Sequence, residues 1–256
     1  MKQTALNPLI DLDPIVYASG FAADSEIKRD LEENGMDPDF REEVDYVHVA
    51  LGNTKAAVEK ILDKFPERKY SMGYLTGPGN FRFDVATIRP YKGNRDPNHK
   101  PKYYKEIKDY LIAQFDAIVV EGMEADDAIG IEQYKHPAKD TVIVTIDKDL
   151  NMIPGWHYNP RKEELYDVGL DEADRFFLWQ MLVGDSTDNI PGINRIGPKT
   201  ADKILAEYPD TTALAAKVRE MYAEQYGTGH EEALDEIAQL LWIRRNEGER
   251  YNVVHE

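Results

Sequence analysis

From residue 117 to residue 146 the chain reads strand, helix, strand. An apolar run at 117–120 is followed by helical spacing at Ala128, Ile129 and Ile131, then by a second apolar run at 141–146. Two such runs joined by a helix pair as parallel strands through a right-handed crossover. A parallel sheet needs helices on both faces, so the pattern points to an α/β domain. In such sheets ligands gather beyond the carboxyl ends of the strands.

That edge is where the acids collect. Glu121, Glu124, Asp126 and Asp127 stand at the first strand-to-helix junction. One or two acids in a first helical turn are ordinary, since the helix dipole favours each by about 0.3–1 kcal/mol. Glu124, Asp126 and Asp127 together exceed that need. Asp147 and Asp149 follow the second apolar run, Asp185 and Asp188 are spaced i, i+3, and Asp11 closes the apolar stretch Leu9-Ile10. Glu121 aside, these are eight carboxylates at strand ends or one helical turn apart; they repel one another in a dry site, and a divalent cation is the natural way to hold them. Asp13, followed by Pro14, reads instead as the N-cap of a helix, with Pro14 at its first position. Asp171 and Asp174 read as caps or surface groups.

Composition narrows the chemistry. With no cysteine, disulfides, thiolate zinc sites and cysteine nucleophiles are excluded, which suits a cytoplasmic protein. Hard oxygen donors without a histidine cluster point to Mg²⁺ or Mn²⁺ and away from zinc. No run of about 18 apolar residues is present, and the N-terminus lacks the apolar core of a signal peptide, so no membrane span is expected. The formal net charge of -17 argues on its face against nucleic acid. Eight of those charges belong to the clustered acids, however, and their distribution decides the matter.

Elsewhere the pattern predicts a strand at 44–51 and a helix capped by Asn53 and running to 65. A strand at 70–75 and a turn at 76–79 follow, with Asp84 in a strand beyond it. One markedly basic segment contains Arg89, Lys92, Arg95, His99, Lys100, Lys102 and Lys105, interleaved with Tyr91, Tyr103 and Tyr104. That mixture suits phosphates and unstacked bases. It leads into a helix over 102–115, and a second helix is expected over 171–183. The Gly-bounded turn 192–197 ahead of a helix at Pro198 offers backbone amides to a phosphate. Two amphipathic helices fill 211–245.

Taken together, Tyr91-Lys92-Gly93-Asn94-Arg95, Glu124-Ala125-Asp126-Asp127, Asp147-Lys148-Asp149, Gly184-Asp185-Ser186-Thr187-Asp188-Asn189-Ile190-Pro191-Gly192 and Gly197-Pro198-Lys199-Thr200-Ala201 make the chain similar to the 5′-nuclease family. That family comprises flap endonucleases, phage 5′-3′ exonucleases and the N-terminal nuclease domain of bacterial DNA polymerase I. The resemblance implies a Rossmann-like, PIN-type, mostly parallel sheet flanked by helices, with a C-terminal helix-hairpin-helix (helix-three-turn-helix) element. It divides the chain into an α/β nuclease domain at 1–183, with a basic arch near 89–105, and a DNA-binding helical region at 184–256. It also implies two Mg²⁺ or Mn²⁺ ions, with Asp11, Glu124, Asp126 and Asp127 around one and Asp147, Asp149, Asp185 and Asp188 around or behind the other.

By the same resemblance Tyr91, Lys92 and Arg95 serve catalysis at the base of the arch, Tyr91 by stacking on a terminal base. Lys100 and Lys102 touch passing phosphates. Gly192, Gly197, Lys199 and Thr200 grip a duplex, in this family often with K⁺. The implied partner is DNA with a 5′ end or flap at a single-strand/double-strand junction, and RNA primers stay open as an alternative. A monomer in a bacterial or phage-infected cytoplasm is expected, and the chain resembles phage enzymes most. The rival readings are a catalytically inactive DNA-binding member and a PIN-type RNase, which needs fewer acids and no helix-hairpin-helix. One position departs from the family pattern: Thr76 stands where another metal-site Asp is usual.

Overall fold

The computed structural model describes residues 5–36, 46–96, 98–136 and 140–251. Its six-stranded sheet is built from β1 (Asn7–Asp11), β2 (Met72–Thr76), β3 (Ile118–Val120), β4 (Thr141–Val144), β5 (Gly155–Asn159) and β6 (Glu164–Val168). The order is β3-β2-β1-β4-β5-β6. All neighbours are parallel except β5 and β6, which form an antiparallel hairpin at one edge. The strand order reverses at β1, which pairs with both β2 and β4, and a doubly wound sheet opens its ligand crevice at such a point.

Side chains alternate across the sheet, so Ile10, Val142 and Val144 enter one core while Leu9 and Ile143 enter the other. The first core is covered by α1 (Asp13–Glu33), α2 (Val47–Lys64) and α4 (Tyr104–Phe115). A one-turn helix α3 (Arg82–Val85) lies between β2 and α4. The second core is larger and takes in α5 (Ala125–Tyr134) and α6 (Leu170–Val183). Behind them lie a short ribbon of β7 (Gly184–Asp185) and β8 (Ile190–Pro191), then α7 (Pro198–Glu207), α8 (Thr211–Tyr226) and α9 (His230–Leu241). Phe177 of α6 meets Trp242 edge-on with ring centroids 4.9 Å apart, and both are buried. Each fully buried large apolar side chain of this kind is worth about 1.5–3 kcal/mol. Among the described residues no helix is long and apolar enough to cross a membrane.

Three expectations change. Residues 47–51 are not a strand but the first turns of α2, which begins six residues before Asn53; residues 44 and 45 lie outside the described set. The alternating Val47, Val49 and Leu51 are only partly buried, whereas Ala50, Thr54, Val58 and Ile61 form a helical stripe that is buried throughout. Asp84 lies in α3, not in a strand. The turn at Asn159-Pro160 closes the β5–β6 hairpin, and Asn159 Oδ1 accepts from the amides of Arg161 and Lys162 at 3.0 and 3.1 Å.

Candidate active site

The strand ends carry acids into one place. β1 ends on Asp11, whose Oδ2 accepts from the Thr145 hydroxyl at 2.9 Å just past β4. The same hydroxyl accepts the amide of Asp147 at 2.9 Å, and Asp147 Oδ1 accepts the amide of Asp149 at 2.9 Å. These local bonds set the turn beyond β4 and with it two carboxylates. Asp126 projects from the first turn of α5, and Glu124 immediately precedes that helix. The β7–β8 ribbon brings Asp185 and Asp188. Asp11, Glu124, Asp126, Asp147, Asp149, Asp185 and Asp188 line one open cavity of about 670 Å³, joined by Lys92, Arg95 and Lys100.

The ribbon needs glycine at two points. Gly184 has φ +73°, and a Cβ there would stand 2.4 Å from the Gly192 nitrogen; a Cβ on Gly192 would meet Val183 carbonyl carbon at 2.3 Å. Gly192 is therefore demanded by close backbone approach. Gly197, at the N-terminus of α7, has open space beside it, and Lys199 and Thr200 in the first turn are exposed.

The floor of the cavity is short of positive charge. Burial pushes the Asp11 carboxyl up to about 8, with Asp13 and Asp147 adding repulsion against the Thr145 bond. Asp126 is raised well above the ordinary range by burial, then by Asp11, Asp147 and Glu124. Asp149 is raised to about 6 by burial and Asp147, although Lys148 Nζ reaches its Oδ1 at 2.7 Å. Among the described residues no three Asp, Glu or His side chains stand as a closed ligand set. The acids line the cavity without closing on one another, and every donor they offer is a hard oxygen. A divalent ion of the Mg²⁺ or Mn²⁺ type fits that donor set.

Asp127 departs from its expected place among the metal ligands. It is fully buried and clamped by Arg82, with Nη1 to Oδ2 at 2.6 Å and Nη2 to Oδ1 at 3.0 Å. Its oxygens also accept the amides of Glu124 and Arg244, both at 3.1 Å. Burial alone would raise its pKa, but the Arg82 guanidinium and these bonds hold it below the usual carboxylate range. It does not line the cavity. Its work is to fix the start of α5 and so to aim Glu124 and Asp126.

Tyr91 also differs from expectation. It is 4% exposed, so its ring is not free to stack on a base. Its hydroxyl lies 2.9 Å from Glu124 Oε2 and 2.8 Å from Asp188 Oδ2, and burial followed by those two acids raises its pKa. Lys92, in the left-handed region at φ 54°, donates to Glu124 Oε1 and lies 3.7 Å from Asp188, while Arg95 donates to Asp188 Oδ1. Lys92 N to Asp188 O at 2.9 Å and Asn94 Nδ2 to Ser186 O at 2.7 Å dock the basic segment on the ribbon. Lys102 does not line the cavity; its amide donates to Asp24 Oδ2 at 3.2 Å and its ammonium lies 5.2 Å from the Tyr103 ring centre.

Several cavity residues had no assigned part. Tyr17 is half-buried and lines the cavity, as do Asp13, Thr76 and Arg82. Asp13 is not a cap: α1 begins on it, and its Oδ2 accepts the Thr76 amide at 3.0 Å. Arg82 carries no local signal of its role, because its partners lie 45 and about 160 residues away.

Parallel sheet order, acids on the carboxyl edge and a helical unit packed behind define a PIN-like nuclease fold. A family model described as 5′-3′ exonuclease, C-terminal SAM fold, matches residues 172–246. The 5′-3′ exonuclease of Buchnera aphidicola subsp. Schizaphis graminum is 32% identical over 172 residues, which are 59% of this chain and 57% of that one. DNA polymerase I of Caldicellulosiruptor bescii is 34% identical over 139 residues, 46% of this chain and 16% of the polymerase. The chain thus spans less than two thirds of the length of these curated relatives. Among solved structures, the T5 D15 protein co-crystallised with metal ions superposes with a TM-score of 0.60 at 16% identity, covering 91% of this chain and 88% of the other. The chain is thus similar to 5′-3′ exonucleases over part of its length and shares the fold of the T5 protein.

Proposed function

We propose that this chain is a divalent-metal-dependent 5′ nuclease that hydrolyses DNA phosphodiesters at a single-strand/double-strand junction. The observation that carries the reading is one cavity in which eight carboxylates, Asp13 among them, meet Lys92 and Arg95. The family match supports it, as does the T5 D15 flap endonuclease solved with DNA and metal ions, which superposes with a TM-score of 0.52 at 17% identity over 74% of this chain. Asp11, Glu124 and Asp126 are the residues to hold one ion, and Asp147, Asp149, Asp185 and Asp188 to hold or flank another. When bound, such a pair lowers the pKa of water and stabilises charge on the leaving oxygen.

The side chains supply the rest. Tyr91 holds Glu124 and Asp188 in position through one hydroxyl. Lys92 and Arg95, now paired with those acids, become available to a phosphoryl oxygen once the acids are engaged elsewhere. Charge of this kind counts most where negative charge builds in the transition state. The first-turn amides of α7, with Lys199 and Thr200, hold a duplex phosphate without reading sequence, and the K⁺ expected at that turn belongs to the same reading. The test is digestion of 5′-labelled flap, nicked, single-stranded and RNA-primed substrates with Mg²⁺, Mn²⁺ or excess EDTA. Cleavage releasing 5′-phosphate products is expected only with metal, and Asp126→Asn and Asp147→Asn should stop cleavage while DNA is still bound. Full cleavage in EDTA would sink the reading.

A further inference from the structure

At the tip of β2 the family pattern expects an Asp, and this chain has Thr76. Its hydroxyl is already engaged: Thr76 Oγ1 accepts the amide of Ala125 at 3.0 Å and so caps α5 from outside the helix. Its carbonyl accepts Lys108 Nζ at 2.8 Å. The Thr76 amide, however, donates to Asp13 Oδ2 at 3.0 Å, drawing a carboxylate from the start of α1 to the end of β2. Asp13 lines the same cavity as Asp11 and Asp126, and its own amide lies 3.3 Å from Asp11 Oδ1. No described residue donates to Asp13 Oδ1, so one oxygen is held and the other is left to the cavity.

We infer that Asp13 supplies the carboxylate missing at position 76, holding a divalent ion directly or through its bound water. The inference rests on the metal-dependent reading above. The Asp11-Leu12-Asp13 spacing makes it possible: β1 ends at Asp11 and α1 begins at Asp13, so both side chains leave the sheet edge within one turn of chain. A helix cap would have been satisfied within α1, but Asp13 bonds instead across to a neighbouring strand. Thr76 and Asp13 thus form a pair in which one residue gives up the ligand role and the other is positioned by its backbone.

The experiment measures Mn²⁺ affinity without DNA, from the free-Mn²⁺ electron paramagnetic resonance signal, for the wild type, Asp11→Asn, Asp13→Asn and Glu26→Gln. Thermal unfolding of each confirms that it is folded. Asn at 13 keeps an oxygen for the Thr76 amide while removing the charge, and Glu26, exposed on α1, controls for the same change in net charge. Asp13→Asn should weaken Mn²⁺ binding by at least about tenfold, the lower end for groups that hold or orient a metal, with Glu26→Gln unchanged. Wild-type affinity in Asp13→Asn with weakened binding in Asp11→Asn would overturn the inference and leave the metal-dependent reading standing. A wild type that binds no Mn²⁺, or an Asp11→Asn that binds as well as the wild type, would overturn both.

Discussion

Asp126 and Asp127 are neighbours in the first turn of α5, and they live in opposite electrostatic worlds. Asp127 points toward α9, where Arg82 and two amides engage both of its oxygens, and its pKa is lowered. Asp126 points toward the ends of β1 and β4, where its surroundings are Asp11, Asp147 and Glu124, and its pKa is raised. The same residue type is a structural pin on one wall and an unpaid repulsion on the other. Acids that the fold leaves unbalanced mark where an external cation would be accommodated, and acids that it balances do not.

Replacing the balancing charge should have the largest effect. Arg82→Ala strands Asp127 as a buried, unpaired carboxylate, so it should lower unfolding free energy by about 3–5 kcal/mol, measured by urea denaturation. Asp126→Asn, by contrast, should leave the metal-free protein as stable or make it more so. Equal losses from both would erase the distinction between the two walls. Next comes Lys92→Ala, expected to slow single-turnover cleavage on the order of 10²–10³-fold while changing DNA affinity much less. A loss confined to binding would assign Lys92 to passive attraction.

The last effect is on pH dependence. Asp11 and Asp149, raised from 3.8 to about 8 and about 6, bind protons in the folded state that the unfolded chain has released. Their contribution is full below about pH 4 and is lost as pH rises toward 8, so metal-free stability should fall across that window. Asp127 works with the opposite sign, since its depressed pKa stabilises above 3.8 and is lost on acidification. Urea midpoints taken in EDTA should therefore decline from pH 5 to pH 8, and saturating Mn²⁺ should remove or reverse the decline. An identical slope with and without Mn²⁺ would count against a cation on the cavity floor.

The parallel sheet was legible because two apolar runs flanking a helix leave few other solutions, and acids at strand ends converge whenever the strands are parallel. Seven of the eight expected acids line one cavity for that reason. What escaped detection depends on contacts far along the chain. The Asp127–Arg82 pair is separated by 45 residues, and no local pattern distinguishes Asp127 from Asp126 beside it. Asp13 followed by proline carries every mark of a cap, yet its partner is an amide 63 residues away. At 47–51 a period of two in three residues competed with a longer helical stripe, and the stripe, burying more surface, prevailed. Tyr91 had the composition of a stacking residue, but exposure is set by packing, and its ring meets Phe83 edge-on at 5.4 Å.

Arg82 joins parts of the chain that a domain map would separate. Beyond its grip on Asp127, its Nε donates to the Leu240 carbonyl at 2.9 Å and Nη2 to the Trp242 carbonyl at 2.7 Å. Those carbonyls sit at the C-terminal end of α9, where helix carbonyls have no partner within the helix. One guanidinium thus closes the last of the described helices and anchors the first turn of α5 at the same time. Peeling α9 away would strip the guanidinium of two acceptors and the helix end of its donor at the same time. The helical unit behind the sheet is accordingly less an appendage than a wall tied to the acid-lined cavity by one guanidinium, and the two halves are expected to melt together.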